Sequence, residues 1–224
     1  MSVRSVVSCL LAVAVVPLAG CNIEIPFVEP LIGSGVPLTE ERDVETFTKL
    51  NVSGALTVTA STDADQSVTV SGDDNIVPVI KTEVRDGTLH IYCEHQGSLR
   101  PKEPLSITIA ASELKGANVS GACGVTVQGI EGASFDASLS GASTLTLSGE
   151  CDQLSADVSG ACNLKAASLT AKSARANVSG ASNAYVHATE SVSGDASGAS
   201  TFRYSGSPTN TNVNASGASS AKAQ

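Results

Sequence analysis

Along most of this chain apolar and polar residues alternate, and the alternation is punctuated by Ser-Gly-Ala at Ser53, Ser120, Ser140, Ser159, Ser179, Ser197 and Ser216. The last six copies lie 20, 19, 20, 18 and 19 residues apart. A fixed period of this length marks a solenoid, and the pattern inside each unit decides between helical and strand repeats. Directly before the Ser stand Val119, Leu139, Val158, Val178, Ala196 and Ala215, and two positions earlier Ala117, Ala137, Ala156, Ala176, Gly194 and Val213. Five and seven residues after it come Val125 and Val127, Leu145 and Leu147, Leu164 and Ala166, Ala184 and Val186, Phe202 and Tyr204. Apolar positions two apart build strands. The spacing therefore predicts an all-β fold, a right-handed parallel β-helix (solenoid) with coils of about 20 residues. Glycine permits the turn at Ser-Gly-Ala, and the intervening column Asn118, Ser138, Asp157, Asn177, Asp195 and Asn214 faces outward. Gly160 and Ala161 are both expected to sit in tight stacks that a larger side chain would disrupt, whereas Ser138 should tolerate Ala.

Between Ser53 and Ser120 the period is lost. Strands are expected near residues 47–52, 56–60, 67–71, 77–84, 88–92 and 105–110, with a hairpin turn at Asp73-Asp74-Asn75 and another turn at Asp86-Gly87. This less regular β N-terminal section, residues 44–116, either adds coils or caps the rod. It joins the regular repeats of residues 117–224 as one domain spanning 44–224.

Four segments carry a resemblance to a known family: Leu50 to Ala55 (LNVSGA), Val68 to Asn75 (VTVSGDDN), Asp86 to Ile91 (DGTLHI), and the repeated Val119-Ser120-Gly121-Ala122. The chain resembles the putative auto-transporter adhesin head GIN domains, formerly a domain of unknown function common in bacterial lipoproteins, over about residues 44–220. The resemblance implies a β-helical extracytoplasmic domain. No translocating barrel follows in the sequence, so an autotransporter is not expected.

Residues 1–20 have the make-up of an export signal: Arg4, an apolar stretch from Val6 to Leu18, then small residues. The apolar part is shorter than the ~20 residues a membrane-spanning helix needs. Leu18-Ala19-Gly20-Cys21 resembles the bacterial lipobox, which makes Cys21 the lipid-attachment residue and the acyl chains the membrane partner. Asn22 follows where an inner-membrane retention signal has Asp, which is similar to an outer-membrane destination. Residues 21–43, with Pro26, Pro30, Pro37 and Gly33-Ser34-Gly35, read as the lipidated Cys and a semi-extended tether.

Charge narrows the choice of partners. Thirteen basic and 22 acidic residues give a net charge of −9, the wrong sign for a phosphate backbone, and no nucleic acid is expected. Only 3% of the residues are aromatic and none is Trp, so the core must be aliphatic.

Candidate chemistry is sparse. A Gly-x-Ser-x-Gly elbow is absent. His90, Cys93 and His95 alternate along a strand and leave at most two ligands on one face, so no metal and no other cofactor is expected. Asp157 and Asp195 stand two coils apart, roughly 9.6 Å, near the upper limit for an inverting glycosidase pair. Lys165 and Arg203 form a similar pair in another column, and these four are the glycan-site candidates. No catalytic residue is assigned. Cys123 and Cys162 occupy equivalent places two coils apart, too far to bridge, and Cys93 and Cys151 have no assignable partner. The expected function is a lipid-anchored cell-envelope β-solenoid, sited in the outer membrane and acting as a structural, adhesive or interaction module without catalysis. The alternative is an envelope polysaccharide-binding or polysaccharide-processing β-helix. Its partner would be an envelope protein or glycan. The last coil, around Val213, offers an edge for weak self-association unless Lys222 and the Asn-rich strand at 210–214 blunt it.

Overall fold

The computed structural model describes residues 28–62 and 65–224. The expected export signal at 1–20, Cys21, Asn22 and the first residues of the expected tether lie outside them. In chain order the strands are β1 (Leu31–Ile32), β2 (Pro37–Glu41), β3 (Lys49–Gly54), β4 (Thr57–Ser61), β5 (Ser67–Asp73), β6 (Ile80–Arg85), β7 (Thr88–Cys93), β8 (Leu99–Arg100) and β9 (Ser106–Ala110). They continue with β10 (Gly116–Gly121), β11 (Gly124–Leu139), β12 (Thr144–Val158), β13 (Asn163–Val178), β14 (Asn183–Ala196), β15 (Thr201–Ser205), β16 (Asn210–Ala215) and β17 (Ser220–Ala223). Together they wind a β-solenoid of about 5 turns. No helix among the described residues is long and apolar enough to cross a membrane.

The regular half follows the repeat. Ala117, Ala137, Ala156 and Ala176 lie in register on successive parallel strands, as do Val119, Leu139, Val158 and Val178. After the turn, Val125, Leu145, Leu164, Ala184 and Phe202 form the facing column. All of these side chains are buried, so the two apolar positions of each strand build one continuous core. A third, narrower face joins them through Ile130, Cys151, Leu169 and Ala171.

The turn shows why the repeat is Ser-Gly-Ala. Gly160 has φ +91°, a left-handed backbone that side chains disfavour, and a Cβ there would run into the carbonyl oxygen of Gly141 one coil below. That carbonyl in turn accepts the N–H of Ala161 at 2.8 Å. Conformation and close stacking both demand glycine. Ala161 itself is exposed, which corrects the expectation that it is packed. The buried small residue is the next one, in the column Cys123, Ser143, Cys162, Ser182 and Ser200. Ser143 donates its hydroxyl to the carbonyls of Gly121 (3.1 Å) and Ser140 (3.2 Å), so the buried hydroxyl is satisfied. Cys123, Cys162, Cys93 and Cys151 are all free thiols.

The N-terminal section both adds coils and caps them. Strand β3 lies between β7 and β10, with Leu50 opposite Leu89 on one side and Ala117 on the other. Likewise β4 lies between β9 and β11. The later coil, β7 to β9, is thus the outer one, and the chain re-enters the stack across residues 111–115. Lys115 N–H donates to the Thr48 carbonyl at 2.7 Å there, and Leu114 is buried. Antiparallel strands close this end: β6 pairs with β7, β5 with β9, and β2 with β5. Asp86 (φ +50°) and Gly87 (φ +68°) form the two-residue turn of the β6–β7 hairpin.

Asp73-Asp74-Asn75 is not a hairpin turn, because β5 and β6 are not partners. The segment leads into a short 3-10 turn at Val77–Val79 and holds down the stretch read as tether. Asp73 is fully buried. One of its carboxylate oxygens accepts the N–H of Gly35 at 2.7 Å, the other those of Lys102 at 2.9 Å and Glu103 at 3.1 Å. Asn75 accepts the N–H of Ser34 at 2.9 Å and donates to the Ile32 carbonyl at 2.8 Å. With β1 paired to β8 and β2 to β5, residues 31–41 are laid on the domain instead of spanning a gap.

Candidate functional site

The outward positions of the solenoid form columns whose chemistry differs from face to face. On the face preceding the turn, Asn118, Ser138, Asp157 and Asn177 stand in register, as do Asp195 and Asn214. Asn177 donates its amide to Asp157 at 2.9 Å and Asn214 donates to Asp195 at 3.0 Å. Each aspartate is therefore tied to the amide of the next coil. Asp157 and Asp195 share one shallow depression of about 470 Å³ with Arg175, Asn177 and Ser138. Arg175 makes no ion pair among the described residues.

The other two candidates lie elsewhere. On the face following the turn, Lys165 aligns with Tyr185, Tyr185 with Arg203, and Arg203 with Lys222. Lys165 and Arg203 thus share a column, separated by Tyr185 and continued by Lys222. Sequence reasoning reads Lys222 only as a guard of the C-terminal edge and does not place it or Tyr185 in this column, although all four fall six residues after the Ser of their turns. The eight parallel strand segments of this face, from β9 and β4 through β11 to β15 and β17, contain no Asp or Glu in a chain that holds 22; Glu40, Glu41 and Asp73 lie beyond β9, on the antiparallel β2 and β5 that extend the sheet at its far end. Beside the charged column runs a neutral one, in which the Asn183 amide donates to Asn163 at 3.0 Å. His187 hydrogen-bonds Ser205 at 2.9 Å.

Acidic residues collect on the third face. Glu131 and Glu150 align on adjacent coils and line a depression of about 570 Å³ with Cys151, Asp152 and Lys172. Asp152 and Lys172 form an ion pair at 2.6 Å. Burial and then the neighbouring Asp152 charge push the Cys151 thiol up to about 11, so at neutral pH it is protonated and a poor nucleophile.

The remaining candidates separate as strand alternation predicts. His90 stands opposite Glu83 on β6, while Cys93 and His95 line an apolar pocket of about 500 Å³ with Leu56, Leu99 and Leu105. Cys93 donates its thiol to the His95 carbonyl at 3.7 Å, and a His95 ring nitrogen meets the Glu29 carbonyl at 3.1 Å. Among the described residues no three His, Cys, Asp or Glu side chains gather as metal ligands would.

This geometry has relatives. A putative adhesin from Bacteroides fragilis NCTC 9343 is 22% identical, covering 87% of this chain and 100% of that one with a TM-score of 0.73. A putative adhesin from Parabacteroides distasonis ATCC 8503 is 17% identical over 88% of this chain and 100% of its own, with a TM-score of 0.55. A putative lipid binding protein from the same organism is 20% identical over the same shares, with a TM-score of 0.53. At these identities the likeness is one of fold. No curated protein matches the sequence. The family description "putative auto-transporter adhesin, head GIN domain" matches residues 46–208, and the chain belongs to that family.

Proposed function

We propose that this protein is a lipid-anchored binding module of the cell envelope, held to the outer membrane through Cys21 and presenting its solenoid as an adhesive surface without catalysis. The observation that carries the reading is the outward ladder. Asp157 and Asp195 each give one oxygen to the amide of the adjacent coil, the arrangement of a preorganised recognition surface rather than of an acid and base flanking a scissile bond. Membership of an adhesin-type family supports the same reading, as does the run Leu18-Ala19-Gly20-Cys21.

Two experiments test the two halves. Cys21→Ala should abolish acylation and move the protein from the detergent phase to the aqueous phase; retention of a lipid mass by the variant would end the anchoring claim. The purified chain, offered to a glycan array and to cell-envelope proteins, should retain a specific ligand and leave it chemically unchanged. Turnover of a bound glycan would replace the binding role with a processing one.

A further inference from the structure

We propose that the acid-free parallel stretch of the face following the turn binds an acidic polysaccharide laid along the axis of the rod, with Lys165, Arg203 and Lys222 meeting its anionic groups and Tyr185 meeting a sugar ring. This deepens the binding role proposed above and rests on it.

Three observations carry the assignment. The first is charge segregation. With 13 basic and 22 acidic residues in the chain, eight stacked strand segments without one carboxylate leave the positive column unneutralised. Lys165, Arg203 and Lys222 have no ion-pair partner among the described residues; Lys49, Arg100, Lys102 and Arg175 have none either, and what sets the three apart is that they stand in one column of a carboxylate-free run of strands.

The second is an unrelieved repulsion. Arg203 and Lys222 are direct neighbours on adjacent strands, roughly 4.8 Å apart along the stack, and like charges so placed oppose strand pairing. An anion bridging them removes that cost, so the site is arranged for a charge the chain does not supply.

The third is the company the cations keep. Tyr185 is half-exposed between Lys165 and Arg203, and the Asn163–Asn183 amide pair lies in the adjoining column. An aromatic ring and neutral donors suit a ligand with hydroxyls and apolar ring faces as well as charge. The site is one column wide and about 14 Å long over its four residues. The Asp157 and Asp195 column and the Glu131 and Glu150 face repel anything broader that is negative. A single flexible chain fits those limits; an anionic membrane or a nucleic-acid duplex does not.

The test is affinity electrophoresis of the full-length chain in detergent, through gels holding polygalacturonate, dextran sulfate or neutral dextran. Retardation is expected with one or both acidic polymers and not with neutral dextran, and it should weaken as salt rises. Lys165→Gln/Arg203→Gln/Lys222→Gln should weaken binding by about tenfold or more. Tyr185→Ala should weaken it at unchanged charge, and Lys172→Gln, on the third face, should bind like the parent. Thermal unfolding of the triple variant should occur no earlier than in the parent, which separates lost binding from lost folding. No retardation by either acidic polymer at low salt overturns the proposal. So does tighter binding to anionic phospholipid vesicles or to a single-stranded oligonucleotide than to polysaccharide. If the glycan array or envelope proteins yield a ligand that the triple variant still binds, this face is refuted and the binding role stands. If the parent chain binds nothing in any format, both fail.

Discussion

At the scale of single residues, the fold depends on how closely coils approach, and size tolerance changes between neighbours. Gly160→Val meets a left-handed φ and the Gly141 carbonyl at once, and should cost more than about 2 kcal/mol. Ala156→Leu, inward and buried, should cost about 1–3 kcal/mol by overpacking. Ala161→Leu, pointing to solvent one residue after the glycine, should stay within about 0.5 kcal/mol. Chemical denaturation of the three variants checks the order, and equal losses at positions 156 and 161 would contradict the assignment of inward and outward columns. Reactivity is set in the same local way. With its pKa pushed to about 11, Cys151 should hold only about one thiolate per thousand molecules at pH 8 and resist iodoacetamide until the protein unfolds. Labelling in the native state as fast as in denaturant, followed by mass spectrometry, would show that its burial is not maintained.

At the scale of elements, Asp73 decides how the N-terminal strands are held. Its burial, which alone would raise the pKa, is outweighed by the N–H groups of Gly35, Glu103 and Lys102 and by the Lys102 charge, so the carboxyl lies below its ordinary range. A carboxyl lowered in the folded state stabilises it fully above the unfolded pKa, about 3.9, and that contribution is lost as pH falls through the lowered value. Exchange protection of the Gly35, Lys102 and Glu103 amides should accordingly decline below about pH 4. Asp73→Ala should abolish most of it at neutral pH, with β1 and β2 released and the regular coils unaffected. Full protection in the variant would mean that strand pairing alone suffices. This clamp also marks where the sequence stopped being legible. Coils whose neighbours lie one repeat away announce themselves by period, so the inward strand columns, the outward Asp and Asn column and the column of Lys165 and Arg203 could be placed; within the turn, where alternation stops, the expectation that Ala161 packs fails, and the buried position is the one after it. The insertion of β3 between β7 and β10 could not, because its two partners lie far apart in sequence and no local pattern encodes which coil is outermost. Nor could the tie from Asp73 to residues 35, 102 and 103, since a buried carboxylate and a turn aspartate look alike until the chain is folded.

At the scale of the whole molecule, the two ends of the rod are unequal. At one end β6, β5 and β2 lie antiparallel over the outer coil, and Ile76, Val77 and Ile80, in and beside the turn between β5 and β6, are buried. At the other, β16 pairs only with β14 and β17 only with β15. Every residue of β16 except Val213 is exposed, and Val213 is half-buried. In a solenoid each coil is stabilised mainly by its neighbours, so a coil with one neighbour opens more readily than one with two. Hydrogen exchange of the dilute chain should therefore run as a gradient, with Asn210–Ala215 and Ser220–Ala223 exchanging first and the paired centres of β12 and β13 last. Raising the protein concentration separates two states of that end. A self-protected edge, blunted by Lys222 and the asparagines of β16, keeps the same gradient at every concentration. An edge that pairs with a second copy gains protection in β16 and β17 alone as concentration rises, and Val213→Pro, which removes a strand donor, should cancel the gain. Uniform protection from β10 to β17 in the dilute chain would show that coils do not open independently, and the description of the rod as a sum of neighbouring coils would fail.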